Sequence, residues 1–394
     1  MKRLRDYRPF LRDGKVIART FGQRLLGPML VDEIPLRAGD VQRIVDRIHP
    51  NHVDAVVTHI QKLTPTTKRL SLAPKRGVFP PFVAGQYVNV FVNIDGVNTS
   101  RPYSIVSTPG RQGSIDLVIK RKETGFVSGF LLDQLKAGSA LRVSAPSGDF
   151  HYNPLRDTSA WVMIAGGSGI APFMSMIEDA FERALPVQML LLYGSRSPSD
   201  IIFRRRLDKL ARAHRNFDVV HVVSEPDDTW DGETELLDET CILRHVPRAE
   251  MADKTFYVCG PGVMYELVVA ALDNLRVPRR RVHVEAYGAP DDISRATGWP
   301  AGTPVTTEVT IEVEGRDEPV RGRTGEPLMN ALERAGLVVP ALCRSGTCAT
   351  CRTRLISGEV FAPPGVALRE TDRAANIIHP CMTYPLGDVR IRLA

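Results

Sequence analysis

Four cysteines near the C-terminus constrain this chain more strongly than any other feature of its sequence. Cys343, Cys348 and Cys351 lie within the stretch LCRSGTCATC (342–351), and Cys381 is the only cysteine that follows them. The spacing is therefore C-x4-C-x2-C-x29-C. Thiolates are soft ligands that suit zinc or an iron–sulfur cluster. We expect these four residues to bind one metal centre.

The spacing favours an iron–sulfur cluster over zinc. Structural zinc sites usually combine two short cysteine pairs, whereas this region contains one C-x2-C pair. The arrangement C-x4-C-x2-C…C is instead the plant-type [2Fe–2S] spacing. Small loop residues would let backbone N–H groups point at the bridging sulfides: Ser345, Gly346, Thr347 and Ala349. Zinc and four unmetallated thiols are the alternatives, and Cys241 and Cys259 do not fit the spacing.

The size and composition of the chain are those of a multidomain globular protein. Its 394 residues exceed one ordinary hydrophobic core, and 43% apolar and 24% charged residues are typical of a folded soluble chain. We find no apolar run of about eighteen residues, so no membrane span is expected, and the N-terminus lacks the apolar stretch of a secretory signal. These features predict a cytoplasmic protein, in which clustered thiols more often bind metal than form disulfides.

Most of the net charge of +6 lies in the first 52 residues, which hold eleven Lys and Arg against six Asp and Glu. We predict a solvated basic extension with one short helix after Asp40, and docking to an acidic partner is the alternative. Nucleic acid is not an expected partner, because the sequence has no zinc-finger or helix-turn-helix pattern and no basic stripe with interleaved aromatic residues.

The pattern of apolar residues predicts three folded domains after the extension at 1–52. Residues 53–152 contain short β-type runs separated by Gly and Pro turns, which predict an antiparallel β-barrel or sandwich. Residues 153–288 alternate apolar runs with amphipathic helices, which predicts a parallel α/β sheet covered on both faces. A linker is expected at 289–304, where Gly, Pro and Asp are frequent, and the cysteine-containing domain at 305–394.

A glycine-rich turn in the α/β domain is typical of a phosphate site. MIAGGSGIAP (163–172) ends an apolar strand, turns through Gly166, Gly167 and Gly169, and enters a helix at Pro172. Glycines permit a tight turn and the close approach of a pyrophosphate to the free N–H groups of a helix N-terminus. By itself the signal is weak, because Pro172 stands where the last glycine of G-x-G-x-x-G would be and no acidic residue is placed as in a Rossmann unit.

Three further short segments occur in an order that indicates a family. RPYS (101–104) precedes the glycine turn, and YGSR (193–196) and VCGPG (258–262) follow it. Over residues 53–288 the chain resembles the ferredoxin–NADP+ reductase superfamily, and residues 305–394 resemble plant-type ferredoxins, with CRSGTCATC as the match. The domain order is similar to that of the phthalate dioxygenase reductase class. The resemblance implies a multidomain α/β plus β fold: an antiparallel flavin-binding barrel, a parallel-sheet nicotinamide domain and a β-grasp ferredoxin domain.

The resemblance also implies roles around the flavin. Arg101 would bind the flavin phosphate, Tyr103 would lie against the isoalloxazine ring, and Ser104 would hydrogen-bond near N5. The other predicted flavin contacts are Pro102, Val118, Lys120, Gly125, Val127 and Ser128. The segment GFVSGFLLDQL (125–135) is more similar to that of FAD-binding relatives, so FAD is expected rather than FMN, although the phthalate dioxygenase reductase class includes an FMN protein.

For the nicotinamide nucleotide, the resemblance implies a second set of residues. The predicted contacts are Gly166, Gly167, Gly169, Pro172, Ser195, Arg196, Arg204, Cys259, Gly260, Pro261 and Tyr287. Ser104, Cys259 and Glu285 would form the catalytic site, with Cys259 packing beside the nicotinamide and not acting as a nucleophile. Arg196 and the run Arg204, Arg205 and Arg206 could bind an NADPH 2′-phosphate. NADH is nevertheless favoured, because most such chains serve catabolic oxygenases.

These inferences predict an electron-transfer reductase. A flavin accepts the electron pair of NAD(P)H, and the [2Fe–2S] cluster receives electrons one at a time and passes them to a partner. The predicted acceptor is a Rieske or di-iron partner, the terminal component of an oxygenase or demethylase system. The alternatives are a reductase for another redox protein, such as a hybrid-cluster protein, and an electron-transfer module held in a larger complex by its N-terminal extension.

Overall fold

The structure of the chain is a computed structural model, which describes residues 52–111, 113–123, 125–286, 288–290 and 292–393. The basic extension predicted at 1–52, with its short helix after Asp40, lies outside the described residues apart from His52. The described ranges contain three large sheets and one two-stranded sheet. No helix within them combines the length and the apolar character that crossing a membrane requires.

The first sheet is antiparallel and is built from the short β-type runs that follow residue 51. Its strands are β1 (His52–Thr64), β2 (Thr67–Pro74), β3 (Tyr87–Ile94), β4 (Val97–Ser104), β5 (Ile115–Lys120) and β6 (Ala140–Ser144), in the order β4-β3-β6-β1-β2-β5. Helix α1 (Phe126–Asp133) packs against β3 and β5. A bridge between Ile105 and Leu117 connects the two edges of the sheet, which therefore closes as a barrel around an apolar core.

The second sheet is parallel and has helices on both faces. Its strands are β7 (Ala160–Gly166), β8 (Gln188–Ser195), β9 (Phe217–Val223), β10 (Thr255–Gly260) and β11 (Val282–Ala286), in the order β11-β10-β7-β8-β9. Successive side chains of a strand point to opposite faces, so Met163 enters one apolar cluster and Val162 and Ile164 enter the other. The helices α2 (Ile170–Glu182) and α3 (Arg204–Ala213) cover the first face, and α4 (Glu239–His245) and α5 (Gly262–Asn274) cover the second.

The third sheet belongs to the cysteine-containing domain. Its strands are β12 (Glu308–Val313), β13 (Val320–Arg323), β14 (Thr353–Ser357), β16 (Ile377–Ile378) and β18 (Val389–Leu393), in the order β13-β12-β18-β14-β16. β12 and β18 pair in parallel, and the other neighbours are antiparallel. Helix α6 (Leu328–Arg334) packs on this sheet, and α7 (Glu370–Ala374) and the small sheet of β15 (Val360–Phe361) and β17 (Tyr384–Pro385) complete the domain. The three sheets confirm the predicted fold class, while the domain boundaries remain predictions.

The stretch predicted as a linker, 289–304, packs against the cysteine-containing domain. Trp299 lies edge-on to Phe361 and Tyr384, with ring centroids 5.2 and 6.2 Å apart, and its indole N–H donates to the carbonyl oxygen of Thr303. Ile293 is buried as well. Glycine and proline here mark irregular backbone, which Trp299 anchors on the cysteine-containing domain.

A buried carboxylate ties the start of the parallel-sheet domain to strands β10 and β11. The side chain of Asp157 is fully buried and accepts hydrogen bonds from Arg156, Tyr257 (2.8 Å) and His283 (2.7 Å). Burial by itself would raise the pKa of Asp157, but the hydrogen bonds from Arg156, the Asn153 backbone, Tyr257 and His283 lower it to about 2. Asp157 is therefore charged at neutral pH.

We expect Asp157→Asn to lower the free energy of unfolding by about 2 kcal/mol, because an amide cannot replace a carboxylate that accepts charge-assisted hydrogen bonds. The loss is smaller than for a fully buried ion pair, because Arg156 is partly exposed and solvent screens its charge. The folded pKa lies below the ordinary value of 3.8, so the contribution is complete above that value and is lost as pH falls through about 2. Urea unfolding at pH 7 and at about pH 3, with Asp218→Asn as an exposed control, measures the effect. A difference between the Asp157 variant and wild type that does not narrow at the lower pH would contradict this explanation.

Candidate functional site

The four predicted cluster ligands meet in the C-terminal domain as two pairs. Cys343 and Cys348 lie between α6 and β14, and the backbone N–H of each points at the sulfur of the other, at 3.5 and 3.3 Å. The sulfur atoms of Cys351 and Cys381 are 3.4 Å apart. A [2Fe–2S] cluster takes four cysteine ligands, shared between two iron atoms, so this two-and-two arrangement fits it.

The separation between the two pairs argues against a single zinc ion. Among the residues that the structure describes, one set of three or more His, Cys, Asp and Glu side chains brings its ligand atoms within 4.8 Å of one another, and it consists of Glu233, Cys241 and His245. A tetrahedral zinc ion needs four sulfurs at about 2.3 Å from one point. The four cluster thiols are spread more widely than that, as two metal ions require.

The loop from 343 to 351 has a backbone that turns N–H groups inward. Arg344, Gly346 and Ala349 have positive φ angles of 52°, 77° and 57°, a region in which residues other than glycine are strained. His379 supports the loop by donating from Nδ1 to the carbonyl oxygen of Gly346, at 2.9 Å. Cys348 is exposed whereas the other three ligands are buried, so one edge of the cluster site faces outward.

The glycine turn has the predicted strand–turn–helix geometry. β7 ends at Gly166, a short turn of 3-10 helix follows, and α2 begins with Gly169 as its N-cap and no side-chain capping hydrogen bond. A Cβ atom at Gly169 would lie 2.0 Å from the carbonyl oxygen of Cys259, and Gly167 has a φ of 52°. The glycines thus allow this turn to pack closely on β10, and the first N–H groups of α2 are oriented to bind an anionic group.

The three residues predicted to be catalytic come together, although they belong to two domains. Cys259 and Glu285 are register partners on β10 and β11, and Ser104 ends β4 of the barrel. The Ser104 hydroxyl donates to Oε2 of Glu285 at 3.1 Å, and the Cys259 thiol lies 4.0 Å from the same oxygen. This contact lies outside the carboxyl ends of the parallel strands, where open α/β sheets bind their ligands.

Tyr87, which the sequence analysis did not select, lies next to this contact. It pairs with Ser104 in the β3–β4 register, and its ring covers Gly148, where an added Cβ would come within 2.9 Å of a ring carbon. Burial, and then the thiols of the cluster loop and the Glu285 carboxylate, raise the pKa of Tyr87. A neutral phenol therefore lies near both the cluster loop and the Ser104–Glu285 contact. The sequence of its segment, FVAGQYV (82–88), indicates a structural role, so Tyr87 was not selected as a site residue.

Arg101 lies where the barrel meets the cysteine-containing domain. Its Nη1 donates to Oγ1 of Thr99 at 2.8 Å and to the Ser100 carbonyl oxygen at 2.7 Å. Burial, and then the guanidinium of Arg344, lower the pKa of Arg101 to about 10, whereas the Glu333 carboxylate opposes this change. Two arginines beside one carboxylate leave an excess of positive charge, which a flavin phosphate would neutralise.

The other predicted flavin residues lie on the barrel: Pro102 and Tyr103 on β4, Val118 and Lys120 on β5, and Gly125, Val127 and Ser128 at the start of α1. The side chains of Val118 and Val127 are buried in apolar clusters, which leaves their backbone groups to contact a ligand. Oγ of Ser128 accepts from the Lys122 N–H at 3.2 Å and would lie 2.3 Å from a Cβ at Gly125. A tight turn without room for a side chain at Gly125 therefore precedes α1, as a diphosphate site requires.

A buried aspartate brings together two predicted cofactor residues. The side chain of Asp200 is 6% exposed, and its Oδ2 lies 3.6 Å from Nζ of Lys120 and 3.9 Å from the guanidinium of Arg196. Arg204 stacks on the ring of Trp230, 5.0 Å from its centroid. These cations near the end of β8 have partners within the protein.

The remaining predicted nicotinamide residues lie around the glycine turn: Ser195 at the end of β8, Pro172 in the first turn of α2, Gly260 at the end of β10 and Pro261 as the N-cap of α5. Met264 of α5, which the sequence analysis did not select, covers the turn, because a Cβ at Gly166 would lie 2.4 Å from its sulfur. Tyr287 lies outside the described residues.

Three protein families match successive parts of the chain. The family described as "Oxidoreductase FAD-binding domain" matches residues 54–152, the "Oxidoreductase NAD-binding domain" matches 163–270, and the "2Fe-2S iron-sulfur cluster binding domain" matches 311–386. The first match runs from within β1 to beyond β6 of the barrel, the second runs from within β7 to within α5 of the parallel-sheet domain, and the third runs from within β12 to just before β18 of the cysteine-containing domain. They confirm the predicted cofactors, FAD, NAD(P)H and a [2Fe–2S] cluster, and with them an oxidoreductase that transfers electrons.

Characterised proteins resemble this chain over most of its length. It is 30% identical to the glycine betaine monooxygenase reductase subunit of Pseudomonas aeruginosa, over 79% of this chain and 87% of that protein. It is 26% identical to the stachydrine N-demethylase reductase subunit of Rhizobium meliloti, over 78% and 87% of the two chains. The solved structure of phthalate dioxygenase reductase has the same fold, with a TM-score of 0.65 and 22% identity over 87% of this chain and 98% of that one. The chain therefore belongs to the ferredoxin–NADP+ reductase superfamily, among the flavin-dependent oxygenase reductase components that carry a C-terminal plant-type [2Fe–2S] domain.

Proposed function

We propose that this chain is the reductase component of an oxygenase or demethylase system, and that it passes electrons from NADH through FAD and the [2Fe–2S] cluster to a separate terminal oxygenase. The observation that carries the proposal is that the barrel contacts both the nicotinamide domain and the loop that contains the cluster cysteines. Ser104 contacts Glu285 of the nicotinamide domain at 3.1 Å, and Asn89, on the neighbouring strand, donates from Nδ2 to the Leu342 carbonyl oxygen at 2.9 Å. Leu342 directly precedes the cluster ligand Cys343. A flavin on this barrel would therefore face the nucleotide on one side and the cluster on the other.

Bound FAD would supply the chemistry, by accepting an electron pair and releasing electrons singly. The side chains of this site therefore serve to position the flavin and the nucleotide. The Glu285 carboxylate orients the Ser104 hydroxyl, and the Cys259 thiol packs beside the same oxygen. The N-terminus of α2 would bind the pyrophosphate of the nucleotide, and Arg101 would bind the flavin phosphate. None of these residues needs to abstract a proton for hydride transfer.

We expect NADH to be used with a kcat/KM at least about tenfold higher than NADPH, which corresponds to about 1.4 kcal/mol of discrimination. The reason is that Arg196 is near Asp200 and Arg204 is stacked on Trp230, so a 2′-phosphate would approach cations that already have partners and would be repelled by the Asp200 carboxylate. Initial rates of ferricyanide reduction with each nucleotide measure the ratio. A preference for NADPH would contradict this part of the proposal.

The acceptor is proposed from the relatives and from the exposed edge of the cluster site. The relatives are named as reductase subunits of a monooxygenase and of an N-demethylase, and Cys348 is the exposed ligand through which a partner protein could approach. We place the reaction in the cytoplasm, where thiols that bind clusters stay reduced.

Two artificial acceptors test the proposed route. Ferricyanide can take electrons from the flavin, whereas cytochrome c stands in for a protein that takes single electrons from the cluster. With NADH as the donor, fully loaded protein should reduce both acceptors. Reduction of ferricyanide without reduction of cytochrome c, in protein with a full complement of iron, would contradict a route through the cluster.

A further inference from the structure

A buried polar contact joins the cysteine-containing domain to the barrel. Helix α6 packs against β4, and Thr99 on β4 donates its hydroxyl to Oε2 of Glu333 on α6 at 2.9 Å. The Thr99 oxygen accepts in turn from Nη2 of Arg344 at 3.1 Å and from Nη1 of Arg101 at 2.8 Å. Glu333 and Arg344 also form an ion pair with each other. We call Thr99, Glu333 and Arg344 the interdomain latch.

The burial of the interdomain latch indicates that its role is one of orientation. Thr99, Glu333 and Arg344 are 7%, 6% and 6% exposed. A buried ion pair contributes little net stability, because desolvation offsets much of the attraction, but removing one partner is costly and the pair can specify one arrangement over others. At this contact, the pair determines which face of the cysteine-containing domain packs against the barrel.

The interdomain latch acts next to a cluster ligand. Arg344 directly follows Cys343, and Leu342, which directly precedes it, accepts the hydrogen bond from Asn89 on β3 at 2.9 Å. Both neighbours of Cys343 are thus held by paired strands of the barrel, β3 and β4. Tyr87, two residues before Asn89, lies beside the Ser104–Glu285 contact. One strand therefore runs from the hydride-transfer site to the cluster loop.

We propose that the interdomain latch is a positioning device, which holds the cluster loop against the barrel and so sets the rate at which electrons pass from flavin to cluster. The inference rests on the proposed function. Each NADH supplies two electrons as a hydride; they leave the flavin one at a time, enter the cluster and pass to the partner, while the latch residues gain or lose neither electrons nor protons. A looser contact between the domains slows the transfer of electrons from flavin to cluster. The rate at which NADH reduces the flavin stays unchanged.

The first test is Thr99→Val in the full chain with both cofactors bound, because valine keeps the shape of threonine and removes the hydroxyl. NADH is mixed with the protein without oxygen, and the flavin and cluster absorbance bands are followed separately. We expect the flavin to bleach at the wild-type rate and the cluster to bleach about tenfold more slowly. The reason is that losing the buried hydrogen bonds of Thr99 disfavours the arrangement in which the cysteine-containing domain packs on the barrel. Thr99→Ser, which restores the hydroxyl, should restore the rate to within about twofold.

A second pair of variants separates positioning from folding. Glu333→Gln removes the charge of the latch and should also slow cluster bleaching by about tenfold. Its matched control is Glu326→Gln, in the same domain, which removes the charge from an ion pair with the half-exposed Arg334 that is not part of the interdomain latch; this variant should behave as wild type. If Glu333→Gln loses iron, the Thr99 variants decide alone, because they leave the pair of Glu333 and Arg344 in place.

Two outcomes have different meanings. Thr99→Val with full FAD and iron that bleaches its cluster at the wild-type rate overturns the role of the interdomain latch and leaves the proposed function standing. Wild-type protein in which NADH bleaches the flavin but not the cluster overturns the proposed function itself, whatever the variants do.

Discussion

Cys348→Ala is expected to abolish the cluster while leaving the flavin and its reduction by NADH nearly unchanged. Cys348 is the exposed member of the four ligands, so its removal takes away one thiolate and little buried packing. Iron content should fall to near zero, cytochrome c reduction should fall by at least about a hundredfold, and ferricyanide reduction should stay within about twofold of wild type. Iron analysis and the two acceptor assays measure these effects.

Cys241→Ala is the matched control for that experiment. Cys241 lies on α4, where it is buried in the apolar cluster on that face of the parallel sheet, and it is remote in sequence from the cluster motif. Its replacement leaves a small cavity, and we expect unchanged iron per chain and unchanged electron transfer. Full iron content in Cys348→Ala, or loss of iron in Cys241→Ala, would show that the ligand set is wrong.

Glu285→Ala is expected to slow flavin reduction by NADH by about a hundredfold, because misplacing the reacting groups by about 1 Å costs a factor of that size. Glu285 accepts a hydrogen bond from the Ser104 hydroxyl and lies beside the Cys259 thiol, so it links the nicotinamide domain to Ser104 on β4, which we propose contacts the flavin. Ser104→Ala should have a similar effect. Because the two side chains act through one hydrogen bond, the double variant should be little slower than either single one.

Rapid mixing with excess NADH measures this rate directly from the flavin band. Glu266→Gln, which changes an exposed glutamate on α5 of the same domain, is the control and should react as wild type does. FAD content has to be equal in all variants for the comparison. Effects of Glu285→Ala and Ser104→Ala that multiply in the double variant would contradict a shared role of the 3.1 Å contact.

Features that depend on local spacing were predictable from the sequence. The C-x4-C-x2-C-x29-C spacing identified the four cysteines that the structure gathers into two pairs, and the glycine turn gave its strand–turn–helix geometry. Short β-type runs separated by Gly and Pro turns predicted the barrel strands, and alternating strand and helix patterns predicted the parallel sheet. Each of these signals lies within a short segment and needs no knowledge of the rest of the fold.

Contacts between distant segments were not predictable in the same way. Thr99 and Glu333 are separated by 234 positions, and the bond from Asn89 to Leu342 spans 253. In the sequence, a threonine in a strand and a glutamate in a helix look like ordinary surface residues. Their burial at a contact between domains does not change the pattern of apolar residues in either segment, so the pattern could not reveal it. Tyr87 was missed for a related reason, since an aromatic residue in a barrel strand is expected whether or not a redox site lies beside it.

The predicted linker shows the limit of composition as a signal. Its glycines, prolines and aspartates indicate irregular backbone, which the structure has, but one tryptophan determines whether such a stretch swings freely or packs. Trp299 lies edge-on to Phe361 and Tyr384 and anchors the stretch on the cysteine-containing domain. Composition averages over such a residue, whereas the contact depends on it alone.

The most direct test of the central claim is the absorption spectrum of the purified, fully loaded protein, recorded without oxygen before and after NADH is added. The account predicts overlapping flavin and [2Fe–2S] bands in the oxidised protein, and loss of both when NADH is added, the flavin band first and the cluster bands after it. A spectrum in which the flavin bleaches while the cluster bands persist, or in which cluster bands are missing although iron is bound, would contradict an internal path from nucleotide to cluster.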